Sequence, residues 1–230
     1  MVNIMKNMKR RKNIFADKAS IILRKMLQDP KKKWVVRDFI GENKVSLGFA
    51  QEVLEELSRQ GFVERVKKGP KSFTVLTNKE ELINAWQKYY RFEFNEVDLY
   101  YSPEKDIFKK IKSIQNKDKY ALTLHSGANL ITSYVKTDNI YFYFFSENWE
   151  KDILRLRQEL DLKELVSGGN IYIINPYYKK SLLFNSQVIN GFHVVSNLQL
   201  YLDLYNFQPR GREHAQYLDN VLRNQGKALA

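Results

Sequence analysis

The sequence predicts an α+β (mixed α/β) protein in which an N-terminal winged helix-turn-helix precedes a larger mixed α/β domain with a central sheet. Three observations predict it. Apolar residues recur at three- and four-residue spacing through the first sixty positions, two strand-like runs around a Lys-Gly-Pro-Lys turn follow, and strand and helix patterns interleave from residue 93 onward. Charge divides the chain near the same place: residues 1–92 hold 21 Lys and Arg against 10 Asp and Glu, and residues 93–230 hold 17 against 16. Nearly all of the net charge of +12 thus lies in the N-terminal part, where it favours encounter with a polyanion. The expected organisation is a basic leader over 1–16, the winged helix-turn-helix over 17–78, a connecting helix over 79–92 and the α/β domain over 93–230.

In the leader, Lys6, Lys9, Arg10, Arg11 and Lys12 fit a solvated solubilising tail and a phosphate-binding arm equally well. Ala19, Ile22, Leu23, Met26 and Leu27 form the stripe of a first helix that ends before Asp29-Pro30. After a solvated basic turn at Lys31 to Lys33, Trp34, Val35 and Val36 lead into a short second helix expected to bury Phe39 and Ile40. Ser46 is placed to cap a third helix, whose apolar stripe is Ala50, Val53, Leu54 and Leu57 and which Gly61 stops. The strand-like runs Phe62 to Val66 and Ser72 to Leu76 then form a hairpin, the wing, around Lys67, Lys68, Gly69, Pro70 and Lys71.

In that arrangement the third helix presents its N-terminal half to the major groove of double-stranded DNA while the wing reaches flanking phosphates. Ser46, Leu47, Gly48 and Gln51 fall on the groove face; Gln51 has the fork that bonds an adenine edge, and Gly48 permits close approach. Lys44, Arg65, Lys67, Lys68 and Lys71 are the phosphate candidates, and Ser72 beside the turn completes the set. Glu52, Glu55 and Glu56 oppose this reading, because carboxylates on the later turns repel phosphate. The alternative for the head is a protein-docking module with solvated basic turns.

From residue 80 the pattern predicts a helix over Glu80 to Tyr90, a strand over Arg91 to Leu99, and a helix burying Ile107, Ile111 and Ile114. A strand over Tyr120 to Leu124, a helix starting near Gly127 and a buried strand over Ile140 to Phe145 follow. Next come a helix over Trp149 to Leu160 and strands over Asn170 to Ile174, Leu182 to Val188 and Phe192 to Val195. Helices over Leu198 to Tyr205 and Glu213 to Leu222 close the chain. The aromatic run Tyr141 to Phe145 reads as strand core in preference to a base-stacking platform.

Five strings occur in order in this half: Glu81-Leu82-Ile83-Asn84-Ala85-Trp86, Tyr120-Ala121-Leu122-Thr123, Gly168-Gly169-Asn170-Ile171, Leu200-Tyr201-Leu202-Asp203-Leu204 and Arg210-Gly211-Arg212-Glu213-His214-Ala215. Behind a winged helix, this series resembles the AbiEi family of transcriptional regulators, the antitoxins of type IV toxin-antitoxin systems, over residues from about 17 to 223. The resemblance implies an autorepressor whose head binds inverted repeats in its promoter, as a dimer or as cooperative monomers, and whose C-terminal domain counteracts a nucleotidyltransferase-like toxin. It also gives Arg210 and Arg212 a role in contacting toxin or DNA, with anchoring to a carboxylate such as Asp203 as the alternative. Leu124-His125 departs from the family, which often has Gly and an apolar residue there.

The absence of cysteine excludes disulfides, thiol chemistry and Cys-ligated zinc, and fits a cytoplasmic protein. The longest apolar run, Ile140 to Phe145, is far short of the roughly 20 residues a membrane helix needs. His125, His193 and His214 lack metal-site spacing, and no catalytic residue, cofactor or metal is expected. Two alternatives remain. Glu159, Asp161 and Lys163 would carry a metal-dependent nuclease or nucleotide-handling enzyme, although their place at a helix end favours a solvated charged turn. A ligand-sensing repressor without a toxin is the other. Gly168-Gly169 lies between a helix and a strand, the reverse of a phosphate loop, and reads as a turn.

Overall fold

The computed structural model describes residues 11–41, 45–112, 114 and 120–229. The chain forms two compact units, Met1–Ala85 and Trp86–Ala230. Together they make a mixed α/β protein with two sheets, as the interleaved patterns predict.

In the first unit, α1 (Asp17–Gln28) buries Ala19, Ile22, Leu23, Met26 and Leu27 completely, and α2 (Leu47–Arg59) does the same with Ala50, Val53, Leu54 and Leu57. The Ser46 hydroxyl accepts from the Phe49 amide at 3.4 Å and starts α2. Gly61, at φ +79°, sits just past its end, a left-handed position that a side chain would strain. The hairpin follows, β1 (Val63–Val66) pairing antiparallel with β2 (Phe73–Leu76).

The expected second helix is a single 3-10 turn over Val36–Phe39. The Asp38 carboxylate accepts from the Val35 amide at 2.9 Å and caps that turn, and Ile40 leaves it extended. Phe39 is buried, stacked on Trp34 at 5.2 Å, but Ile40 is 41% exposed, contrary to expectation. Trp34 itself is a strand residue: its amide and carbonyl bond those of Thr74 at 2.8 and 2.7 Å, adding a third, one-residue strand to the hairpin.

The boundary between the units falls within α3 (Lys79–Tyr89). The second unit is built on a six-stranded sheet in the order β3-β6-β5-β4-β8-β7. Its strands are β3 (Glu96–Tyr100), β4 (Tyr120–Leu122), β5 (Ile140–Phe144), β6 (Ile171–Asn175), β7 (Gln187–Ile189) and β8 (Phe192–Val194). The β5–β6 and β4–β8 pairs are parallel, the others antiparallel. Between the strands run α4 (Ile107–Lys112), α5 (Leu124–Thr132) and α6 (Trp149–Glu159); α7 (Asn197–Tyr205) and α8 (Gly211–Asn224) end the fold. Tyr141 and Tyr143 face α5 and α7, while Phe144 and Asp98 meet Trp149 of α6 on the other face. A strand covered on both faces accounts for the unbroken aromatic run, every member of β5 being buried.

Local chemistry moves three expected boundaries. Arg91 to Leu99 begins with a 3-10 turn at Phe92–Phe94, held by Asn95 donating to the Phe92 carbonyl at 2.7 Å, before β3 starts. Helix α5 begins at Leu124, three residues early, because Leu124 takes the left-handed conformation (φ +47°) and turns the chain sharply off β4. Leu182 to Ser186 is a run of turns that buries Leu182 without a strand partner, so β7 contains only the end of that expected strand.

Candidate nucleic-acid interface

The outward face of α2 opens with Ser46, Leu47 (51% exposed) and Gly48, then Gln51, Glu52 and Glu55, all exposed. A Cβ added to Gly48 would meet no atom within 4 Å, so the protein's own packing does not demand glycine there. What the glycine provides is a helix surface that another molecule can approach. Gln51 lies 3.4 Å from Glu55, a long and exposed contact that leaves its amide available.

Lys67, Lys68 and Lys71 are exposed around a 3-10 turn at Gly69–Lys71. Ser72 holds that turn: its hydroxyl donates to the Gly69 carbonyl at 2.7 Å and accepts from the Lys68 amide at 3.0 Å. Its side chain is therefore engaged in positioning the lysines. Arg65 is half-buried and ion-paired with Glu55 at 3.5 Å. Lys44 lies outside the described residues. Sequence reasoning treated Lys31 to Lys33 as a mere solvated turn, but Lys33 lies over the Phe73 ring of β2 at 5.1 Å and Lys32 over Trp34 at 4.3 Å. The Trp34–Thr74 bridge brings this second group of cations to the hairpin. Only the hairpin-like placement of Trp34 reveals it, and a lone tryptophan has no periodicity to announce a strand.

The three carboxylates of α2 are all paired. Lys12 meets Glu52 at 3.0 Å, Arg65 meets Glu55, and Glu56 binds Arg59 and Gln60. The Arg59 hydrogen bonds hold the Glu56 carboxyl below its usual range against the opposing effect of desolvation.

In the second unit Thr123, Asp203 and His214 of the five strings are buried, whereas Arg210, Arg212 and Glu213 are exposed. Asp203 is fully buried and accepts four hydrogen bonds: from Thr123 at 2.5 Å, Gln199 at 2.7 Å, Tyr90 at 2.8 Å and Tyr143 at 3.0 Å. Burial raises its pKa to about 6 although all four donors pull it down. The Trp86 indole donates to the Tyr178 hydroxyl at 2.9 Å, and the Asn170 amide bonds both backbone groups of Ser102. At Gly169 any Cβ would lie 2.7 Å from the Tyr100 carbonyl oxygen, so that close approach requires glycine. His214 Nδ1 lies 2.8 Å from His125 Nδ1, and its Nε2 lies 2.8 Å from Thr132. Desolvation, then the charges of His125 and Arg210, lower the His214 pKa to about 3.

The expected anchoring of Arg210 or Arg212 to Asp203 does not occur, because four neutral donors already satisfy that carboxylate in a dry site. Arg210 instead bonds Glu213 at 3.2 Å and lies over Tyr134, and Arg212 lies over Tyr205. Both guanidinium groups stay at the surface. Asp161 occupies a left-handed turn at φ +50°, and Lys163 bridges Tyr101 through its backbone. Among the described residues no three His, Asp or Glu side chains are grouped to hold a metal, and no helix is long and apolar enough to cross a membrane.

The buried side chains of these strings tie β4, α7, Trp86 of α3 and the turn before β6 into one scaffold. A family model for transcriptional regulators, the AbiEi antitoxins of type IV toxin-antitoxin systems, matches residues 75–223. The chain belongs to this AbiEi family. It is thus a member of a family of transcriptional regulators and antitoxins. No curated protein and no solved structure matches the chain. The family match starts in β2 and leaves α1, α2 and most of the hairpin outside it, so the function of the head rests on its own geometry.

Proposed function

We propose that residues 17–78 form a winged helix-turn-helix that binds promoter DNA, and that the chain is an autorepressing antitoxin. The observation that carries this is an exposed, capped α2 N-terminus in the same unit as a hairpin tip carrying three exposed lysines. In this reading Ser46, Leu47, Gly48 and Gln51 enter the major groove, and Lys67, Lys68 and Lys71, with Lys33, touch phosphates on either side. Lys44 and Arg65 add phosphate contacts when free of other partners. The head is followed by residues 79–92 as a connecting helix and by a C-terminal domain that counteracts a nucleotidyltransferase-like toxin, with Arg210 and Arg212 on the surface available to toxin or DNA. Inverted repeats in the promoter call for two heads, from a dimer or from cooperative monomers.

The test is salt dependence. Replacing Lys67, Lys68 and Lys71 together with Ala should weaken binding to every duplex and flatten the log-log salt slope by about 0.9 for each lost phosphate contact. An unchanged slope removes the hairpin from the interface. A promoter footprint that requires this chain, and a neighbouring toxin gene whose effect it suppresses, test the regulatory and antitoxin halves separately.

A further inference from the structure

Two of the carboxylates on the outward face of α2 are held by cations from elsewhere in the first unit. Lys12 reaches Glu52 at 3.0 Å from the segment before α1, and its ammonium also lies 4.4 Å from the centre of the Phe49 ring. Arg65 reaches Glu55 at 3.5 Å from β1. Both carboxylates are more than half exposed; of their cations Lys12 is 35% exposed and Arg65, at 16%, is the more enclosed. They also stand one helical turn from Gly48 and Gln51, on the face assigned to the groove.

Each carboxylate therefore occupies, on its cation, the place a DNA phosphate would take. We infer that Glu52 and Glu55 are internal phosphate mimics, which hold Lys12 and Arg65 off arbitrary duplex and lower the head's sequence-independent affinity for DNA. This rests on the DNA-binding reading of the first unit. Sequence-independent binding is almost wholly electrostatic, so it bears the full effect of two cations withheld and two anions facing the phosphates. Binding with α2 seated in the groove gains base contacts that the carboxylates leave untouched. Each pair is open to solvent on its carboxylate side and shifts an equilibrium by no more than about fivefold, so the two together hold back arbitrary duplex by about tenfold.

The experiment compares the full chain with its Glu52→Gln/Glu55→Gln variant on a fluorescent random-sequence duplex across a salt series. A second variant, Glu147→Gln/Glu150→Gln, makes the same change of net charge in the other unit. The first should bind about tenfold more tightly at low salt, with a steeper salt slope, and the second should match the parent. Lys12→Ala should cost more binding in the Glu52→Gln background than in the parent, because only there is the ammonium released from its carboxylate. Equal affinities for the α2 variant and the charge control overturn the inference while leaving the DNA-binding reading standing. So does weaker binding by the α2 variant, which would make a carboxylate a base-reading group. A parent that binds no duplex at all removes both.

Discussion

In the first unit the polar groups that matter stand in solvent: Lys67, Lys68 and Lys71 at the hairpin tip, Gln51 and Glu52 on α2. In the second unit the comparable groups are sealed inside: Thr123, Tyr90 and Tyr143 donate to Asp203, and His214 bonds His125 and Thr132. The difference teaches how to read the polar residues of this sequence. A surface ammonium contributes little to stability and is available to a partner, whereas a buried carboxylate with four donors fixes the elements that carry those donors. The family match covers the second kind and omits most of the first.

The largest effect that would test this contrast comes from Asp203→Ala, which leaves three hydroxyls and one amide in a dry core without their acceptor. At about 1–3 kcal/mol for each group left unsatisfied, unfolding of the second unit should shift by several kcal/mol in a denaturant titration. Retention of parental stability would break the claim that this network holds the scaffold.

Acid titration offers an intermediate effect. Folded His214, at about 3, refuses the proton that an unfolded histidine accepts near 6.5, so stability falls as pH drops from 6.5 toward 3. Asp203 works in the opposite direction. Its folded pKa of about 6 exceeds the unfolded 3.8, so its contribution is full below 3.8 and is lost as pH rises through 6. Thermal melts at pH 7 and pH 5 should therefore show a smaller acid-side loss in His214→Gln than in the parent. Identical losses would mean that the buried pair does not report on acid stability.

The smallest effect lies in the head. Ser46→Ala removes the cap of α2 and should cost about 1 kcal/mol of stability in the first unit, read by thermal melting, with no change in the second. A larger loss would mean that the first unit also depends on its polar groups for stability, which would erase the contrast.

Much of the architecture was legible locally. The stripes of α1, α2 and α6, the Ser46 cap and the lysine turn are written in spacing and in residue types that act within a few positions. Elements set by distant partners were harder to see. Trp34 becomes a strand residue only because Thr74 lies opposite it, and the turn at Leu124 follows from packing that no neighbouring residue signals. The candidate interface was legible in the same uneven way. Its lysine tip follows from composition, but the pairing of Glu52 with Lys12, forty positions away, and of Glu55 with Arg65 depends on how the first unit closes.

By itself, then, the sequence determined most of the helical stripes and where positive charge accumulates, since each is a property of neighbours along the chain. Tertiary structure alone decided that Asp203 meets two tyrosines instead of an arginine, that His125 meets His214, and that the acidic side chains of α2 face cations. Hydrogen bonds and ion pairs form between groups that packing brings within about 3 Å, and packing depends on the whole fold rather than on any stretch of it.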